Sequence, residues 1–402
     1  MRQISRGKGG SAAFELSKPA CKPVRLAAPN ASHFRVFSRL LAPLLENPNH
    51  YPLGYRPALD GLRGTMTLGV MAAHIKESWC PGSFVYMDTF FIMSAYLITA
   101  LLLKGWRRDG RIQFTRFYYR RALRLFPANY VMLAVFAVAA WLLLDDFGGH
   151  LKQIAVAGLY VSNWTRAFEV PMPQFLGHTW SLSIEEQYYL LWPLLLAGLL
   201  KCFGLRKRTL MVVLAVAFGF ALWRSWLSFD GASIARLYNG TDTRADALLL
   251  GCALGIALAL PQIRDNVALQ RWVARMAMPI VVALLVAGYT LQWEMRAMYA
   301  GGSFVFSLLS TLLVAALALP QVTLAHRLFS VPPLVFLGRI CYGLYIWHFP
   351  IYNVLRVAFG METWGLVLIG VPLTFAFAIA SYLLIERPFL AMKDRLPESR
   401  AS

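Results

Sequence analysis

Long apolar runs alternate with short polar connections along this chain. Several runs reach the ~20 residues that an α-helix needs to cross the hydrocarbon core of a bilayer. The predicted spans are 64–80, 84–103, 127–144, 186–203, 209–228, 244–260, 277–293, 303–320, 339–357 and 364–385. The apolar stretch 151–164 is short and is predicted to lie at the membrane interface. The pattern therefore predicts an all-α, polytopic membrane protein with about ten transmembrane helices.

The composition agrees with a membrane protein. Hydrophobic residues make up 58% of the chain, which is too apolar for a soluble enzyme. The five cysteines are scattered without C-x-x-C spacing, so we expect neither a disulfide framework nor a metal site. We predict a flexible basic cytoplasmic extension at 1–50, a transmembrane domain at 51–390 and a short cytoplasmic tail at 391–402. The basic N-terminus is not followed by the apolar stretch of a secretory signal.

Charge predicts the orientation of the spans. Residues 1–50 carry eight Lys/Arg against two acids, and 104–124 carry eight against one. The connection 145–186 has two bases and five acids. Basic loops stay in the cytoplasm, so ten spans place both termini there, whereas an eleventh span at 151–164 would invert every later loop. Topology and attraction to anionic lipid explain the net charge of +19 without nucleic acid as a partner.

Two ionisable residues, Arg63 and His74, lie in or beside the first predicted span. Eleven helical residues make about three turns, so the two side chains share a face, roughly 16 Å apart along the axis. Ionisable groups at this depth usually face a protein interior or a wet cavity. Histidine can accept a proton from a hydroxyl near neutral pH, so His74 is a candidate general base. A snorkelling cation and a structural histidine are the alternatives.

The connection before the third predicted span is rich in arginine. Arg121 and Arg124 share one face if this segment is helical, and Arg120 lies on an adjoining stripe. Pro127 predicts a break before the span. Guanidinium groups bind phosphates through paired hydrogen bonds, so these arginines, with Arg63 deeper in, are candidates to hold a nucleotide-like carrier. A simple positive-inside anchor is the other interpretation.

Two adjacent acids, Glu185 and Glu186, are predicted to enter the fourth span from its outer side. They point about 100° apart on a helix, so at least one is expected to turn inward and orient His74 or raise its basicity. The alternative is a helix-start carboxylate favoured by the helix dipole. Trp180, in the same motif, suits a membrane-interface belt and is a candidate contact for a substrate.

Two further positions are candidate substrate contacts. His348 lies in the ninth predicted span, where Pro350 is expected to kink the helix and free a carbonyl nearby. We expect His348 to have a structural or substrate-orienting role in the cavity of the first histidine. Arg244 lies at the outer edge of the sixth span, and a local ion pair with Asp246 is the alternative to substrate binding.

Together these motifs resemble the membrane-bound acyltransferase-3 family of bacterial carbohydrate O-acyltransferases, over about residues 55–390. LDGLRG with Arg63 and His74 resembles the family's arginine-x10-histidine motif, and RRALRLFPANY resembles its arginine-rich segment. HTWSLSIEEQYYLLWP, DTRADALLLG, YGLYIWHFPI and the final IERP follow in the family's order. The resemblance implies a multi-pass enzyme of the bacterial inner membrane. Such an enzyme moves an acyl group, commonly acetyl from acetyl-CoA, onto a hydroxyl of a sugar or glycan.

The resemblance also implies roles and partners. His74 with Glu185 or Glu186 is expected to be catalytic, and the arginines are expected to hold acetyl-CoA or another acyl-CoA, without a metal. Membrane lipid and a carbohydrate acceptor are the expected partners. The chain ends at Ser402 without a following soluble domain, so we expect it to act alone or with a separate periplasmic partner. The alternatives are a transporter or flippase for an amphipathic or acylated substrate, and a non-catalytic scaffold.

The chain departs from the family's pattern in the second span. Tyr86, Met87 and Ala95 stand where the family usually has glycine, valine and glycine. Larger residues at glycine positions are expected to change how closely the first two spans pack.

Overall fold

The computed structural model describes residues 56–392. The predicted extension at 1–50 lies outside the described residues, and so does the predicted tail apart from residues 391–392. Across the described part of the chain the protein is all-helical and contains no strand, which confirms the all-α part of the predicted fold class.

Ten helices correspond in order to the predicted spans. They are α1 (Pro57–Ile75), α2 (Phe84–Asp109), α3 (Phe114–Leu143), α4 (Trp180–Phe203), α5 (Lys207–Phe229), α6 (Ala245–Ala259), α7 (Val267–Thr290), α8 (Ser303–Ala318), α9 (Cys341–Phe359) and α10 (Thr363–Met392). Shorter helices at Phe147–Gly158, Ser162–Ala167, Ile234–Asn239, Pro261–Arg264, Leu324–Phe329 and Pro332–Arg339 connect them.

Six of these helices in the described region are long and apolar enough to cross a membrane by length and composition: α2, α3, α5, α7, α8 and α10. The other four differ for identifiable reasons. Helices α1 and α4 carry ionisable residues, α6 has only 15 residues, and α9 is bent by 69° against the preceding Pro332–Arg339. The protein is therefore a multi-pass membrane protein. Helices α1 and α4, which carry ionisable side chains, are not among its six typical membrane-spanning helices.

Two local predictions meet different outcomes. The helix Phe147–Gly158 has 12 residues, too few to cross a membrane, which agrees with leaving 151–164 out of the spans. The predicted break at Pro127 is wrong, because α3 continues through this residue. A proline removes one intrahelical hydrogen bond, and the rest of this long helix compensates. The arginine-rich segment consequently forms the first turns of α3 itself.

Glycines hold α1 tightly against the helices that follow α8. A Cβ on Gly61 would clash with the carbonyl of Phe329, and one on Gly64 would lie 2.9 Å from the backbone nitrogen of Gly338. In the other direction, a Cβ on Gly338 would clash with the carbonyl of Asp60. Small residues allow membrane helices this close approach. The N-terminal end of α1 is therefore fixed by backbone-to-backbone packing.

The large residues of α2 meet the prediction only in part. Ala95 is fully buried and packs against Gly251 of α6. The ring of Tyr86 lies between Gly69 of α1 and Gly288 of α7. The departure at Ala95 therefore affects the packing of α2 on α6, and Tyr86 bears on the contact between the first two spans.

Candidate active site

A pair of histidines joins the end of α1 to α9. His74 lies in the last turn of α1, and its Nδ1 is 2.9 Å from Nε2 of His348. The two rings are nearly parallel, with centroids 5.1 Å apart and an interplanar angle of 23°. The sequence predicted a cavity role for both residues, and the structure brings them into direct contact across 274 positions.

The hydrogen bonds around this pair fix which nitrogen of each neutral ring carries the proton. Nδ1 of His348 lies 2.9 Å from the carbonyl oxygen of Leu344, which can only accept, so this Nδ1 donates. Nε2 of His348 is then the acceptor, and His74 must donate to it from Nδ1. Nε2 of His74 therefore keeps its lone pair, which is the form required of a general base.

A third histidine, which sequence reasoning missed, borders the pair. His178 lies in the turn Gly177–Thr179 before α4, and its ring centroid is 5.6 Å from that of His348. Its Nε2 donates to the carbonyl of Ile346 at 3.2 Å, and its buried Nδ1 has no hydrogen-bond partner among the described residues. His178 is 3% exposed and His348 is 0% exposed, whereas His74 is only half-buried. Of the three histidines, His74 is the most exposed.

Two arginines flank the histidines. Arg356 donates from Nη2 to the carbonyls of His74 and Ile75, at 2.6 and 2.9 Å, and so satisfies the C-terminal end of α1. Arg166, in the short helix Ser162–Ala167, lies close enough to His74 and His178 to interact with them electrostatically. Burial lowers the pKa of the Arg166 guanidinium, which nonetheless stays charged at neutral pH. Two cations therefore lie near His74, one bound to its carbonyl oxygen and one within electrostatic range of its ring.

A second cluster lies where α4 meets α3 and α2. The guanidinium of Arg121 stacks over the ring of Tyr189, 4.2 Å from its centroid. The Tyr189 hydroxyl donates to Glu185 at 3.2 Å and also meets Ser94. Arg121 interacts electrostatically with both Glu185 and Glu186. The two glutamates are therefore partners of the arginine-rich segment.

The prediction that one of the glutamates would orient His74 is not met. Helix α4 starts directly after His178, so Glu185, seven residues later, lies about 10 Å further along the axis. At that position Glu185 interacts with Arg121 and Tyr189. The residue in hydrogen-bonding contact with His74 is His348. The histidine and the carboxylates belong to two successive clusters.

A third cluster surrounds the N-terminal end of α1. Arg63 lies 3.4 Å from Asp60, and Arg124 and Arg339 also interact electrostatically with this carboxylate. Glu386, in the IERP motif, interacts with Arg124 as well. Arg63 lies about 16 Å from His74 along α1, as predicted. The three clusters thus follow one another along α1 and α4.

Two of the predicted substrate contacts, Arg244 and Trp180, are buried and do not belong to the three clusters. Arg244 is 0% exposed and pairs with Asp88 at 2.9 Å, whereas Asp246 pairs with Arg224 at 2.7 Å. The predicted local pair between Arg244 and Asp246 is therefore wrong. Trp180 is also buried and packs against Phe91 and Tyr238. In this structure Arg244 and Trp180 stabilise the helix packing and present no surface to a substrate.

Three residues of the candidate site, His178, Arg356 and Arg166, were not predicted, and they differ in how strong a signal the sequence carries for them. His178 opens the motif that contains Trp180 and Glu185, so a buried histidine beside an aromatic belt was a usable signal. Arg356 and Arg166 carried none, because basic residues near helix ends are common and their partners are distant in sequence. Within residues 56–392, no group of three or more His, Cys, Asp or Glu side chains is arranged to hold a metal ion.

Comparison with known proteins places the chain in a family. The acyltransferase domain family (Acyl_transf_3) matches residues 56–383, so the chain belongs to it. A peptidoglycan O-acetyltransferase of Listeria monocytogenes (OatA) is 33% identical over 358 residues, covering 86% of this chain and 57% of that protein. A putative O-acetyltransferase of Staphylococcus aureus is 34% identical over 347 residues, covering 83% and 57%.

A putative peptidoglycan O-acetyltransferase of Bacillus subtilis is 32% identical over 350 residues, which covers 83% of this chain and 55% of the relative. The chain therefore spans a little over half the length of these relatives. No solved structure matches the chain.

Proposed function

We propose that this protein transfers an acyl group, acetyl from acetyl-CoA, to a hydroxyl of a cell-wall glycan at the bacterial inner membrane. Helices α1 to α10 are the ten spans, with both termini in the cytoplasm, as the charge pattern favours. The observation that carries the proposal is the half-buried His74, whose Nε2 is left with a free lone pair by its hydrogen bond to His348. The peptidoglycan relatives support a glycan as the acceptor.

The chemistry follows from the protonation states of the pair. His74 accepts the proton of the acceptor hydroxyl at Nε2 as the oxygen forms its bond to the acyl carbon. His348, which accepts from Nδ1 throughout, holds the ring in this tautomer and spreads the positive charge that develops. Arg166 and Arg356 are the two cations near His74, and their positive charge favours negative charge on the reacting oxygen. His74 then returns the proton to the leaving sulfur as the carbon–sulfur bond breaks.

The donor fits the arginine-rich first turns of α3. Arg124 is exposed there, Arg116, Arg120 and Arg121 are half-buried, and the Nε of Arg116 is buried without a hydrogen-bond partner in the part of the chain described. Such a cluster can take the phosphates of CoA, which supplies a thioester-activated acyl group. Because Arg121 already stacks on Tyr189, we assign Arg121 to positioning the second cluster, and we assign Arg116, Arg120 and Arg124 to binding the phosphates.

The test compares acyl transfer by the wild-type protein and a His74→Ala variant at equal protein level. Membranes are incubated with radiolabelled acetyl-CoA and peptidoglycan, and label on the glycan is counted. We expect labelled glycan with the wild type and none with His74→Ala. His326→Gln, which lies outside all three clusters, is the control and should retain activity. A transporter or scaffold predicts no His74-dependent label, and equal labelling by His74→Ala would refute the proposal.

A further inference from the structure

A cleft lies just beyond the outer end of α1. It has a volume of about 370 Å³ and is lined by Lys76, Trp79, Glu362, Thr363, Trp364 and Gly365. Ligand sites for small molecules have volumes of roughly 300–1,000 Å³, so the cleft is large enough for a ligand. None of the three polar clusters includes these residues.

The cleft is held next to His74 by the backbone. Lys76 follows His74 by two residues, so their Cα atoms are at most about 7.6 Å apart. The other wall begins where α9 ends at Gly360, four residues after Arg356, which binds the carbonyls of His74 and Ile75. Both walls are therefore anchored to the last turn of α1, which carries the proposed base.

The lining has the chemistry of a sugar site. The rings of Trp79 and Trp364 meet edge to face, with centroids 6.3 Å apart, and Trp364 is 69% exposed. The π face of an indole has a partial negative charge, which attracts the C–H groups of a pyranose ring. Lys76 and Glu362 are both exposed at the rim and can donate to and accept from sugar hydroxyls. Aromatic faces flanked by one donor and one acceptor favour a polyhydroxylated chain over a lipid tail.

We propose that this cleft binds the glycan acceptor, holding the sugar units next to the one that is acylated. The inference rests on the proposed function, which places the donor at the arginines. The cleft lies at the opposite end of α1, and that end is left for the acceptor. It adds a binding subsite that positions the acceptor hydroxyl at His74 without touching the reacting atoms.

Binding is measured separately from catalysis, so that the two proposals can fail independently. The probe is a soluble peptidoglycan tetrasaccharide, titrated by calorimetry into the full protein carrying His74→Ala, with and without Trp364→Ala. We expect His74→Ala to bind the tetrasaccharide, and Trp364→Ala to raise the Kd about tenfold, with Trp364→Phe in between. The matched control is Trp141→Ala in α3, which removes an indole that is 67% exposed and should leave the Kd unchanged.

The kinetic readout distinguishes a sugar subsite from a membrane anchor. In an otherwise wild-type protein, Trp364→Ala should raise the KM for the tetrasaccharide about tenfold and leave the KM for acetyl-CoA and kcat within about twofold. An unchanged Kd, or an equal loss with Trp141→Ala, overturns the inference, because interfacial tryptophans would then be interchangeable anchors. Tetrasaccharide binding without any acyl transfer would refute the proposed function and leave the cleft assignment standing.

Discussion

Replacing His348 tests whether the histidine pair acts as a unit. In His348→Ala the Nδ1–H of His74 loses its acceptor, and the ring is free to adopt the other tautomer or rotate. His348→Gln can place its side-chain oxygen near the former Nε2 position and accept the same proton. His348→Asn is shorter and reaches only the position of Nδ1, where it can still bond Leu344. Comparing the three variants therefore distinguishes the effect of the hydrogen bond to His74 from that of the hydrogen bond to Leu344 within α9.

The size of the effect follows from the structure. A buried donor without a partner costs about 1–3 kcal/mol, and a positioned general base contributes about 10²–10⁴-fold to a rate. Because His74 remains present in His348→Ala, we expect kcat to fall about 10²-fold, near the lower end of that range. His348→Gln should recover about tenfold of this loss, whereas His348→Asn should recover none.

The assay is steady-state acyl transfer by purified protein in proteoliposomes, with acetyl-CoA and acceptor varied independently. The loss should appear in kcat, with both KM values little changed, because neither substrate touches His348. The double variant His74→Ala/His348→Ala should be no slower than His74→Ala alone, since residues that act as a unit are not additive. Equal kcat values for the alanine and glutamine variants would refute the tautomer argument.

Three further outcomes follow from the same geometry. Arg356→Ala, which frees two carbonyls at the end of α1, should lower kcat several-fold while protein yield stays normal, as measured by acyl transfer per mole of folded protein. Arg116→Ala should raise the KM for acetyl-CoA about tenfold and leave the acceptor KM unchanged, whereas Arg271→Ala on the exposed start of α7 should change neither. Asp88→Ala should destabilise the protein by about 3–5 kcal/mol, because it leaves the Arg244 cation buried without its partner, and size-exclusion chromatography after heating should show the loss. Normal thermal stability of Asp88→Ala would contradict the structural assignment of that pair.

Local pattern was sufficient for the parts of the fold that depend on local physics. Apolar run length predicted the helices, and helical spacing predicted that Arg63 and His74 share α1 about 16 Å apart. The arginine-rich segment was recognised by composition, although Pro127 misled the prediction of its boundary, since a long helix tolerates one missing hydrogen bond.

The pairing of side chains across the bundle was not predictable in the same way. His74 was expected to pair with a glutamate because carboxylates commonly orient histidines, yet helix α4 begins level with the histidines and carries Glu185 past them. A local pair of Arg244 with Asp246 was the alternative to substrate binding, but Arg244 instead pairs with Asp88 on α2. Both outcomes depend on the depth and rotation of neighbouring helices, which a single sequence does not specify.

The account depends most on His74 as the group that takes the acceptor's proton. The most direct measurement is single-turnover transfer of labelled acetyl from acetyl-CoA to a peptidoglycan tetrasaccharide by purified protein in proteoliposomes, comparing the wild type with His74→Gln. We predict that His74→Gln retains tetrasaccharide binding and transfers at least about 10²-fold more slowly. Transfer at the wild-type rate by a correctly folded His74→Gln protein would contradict the account.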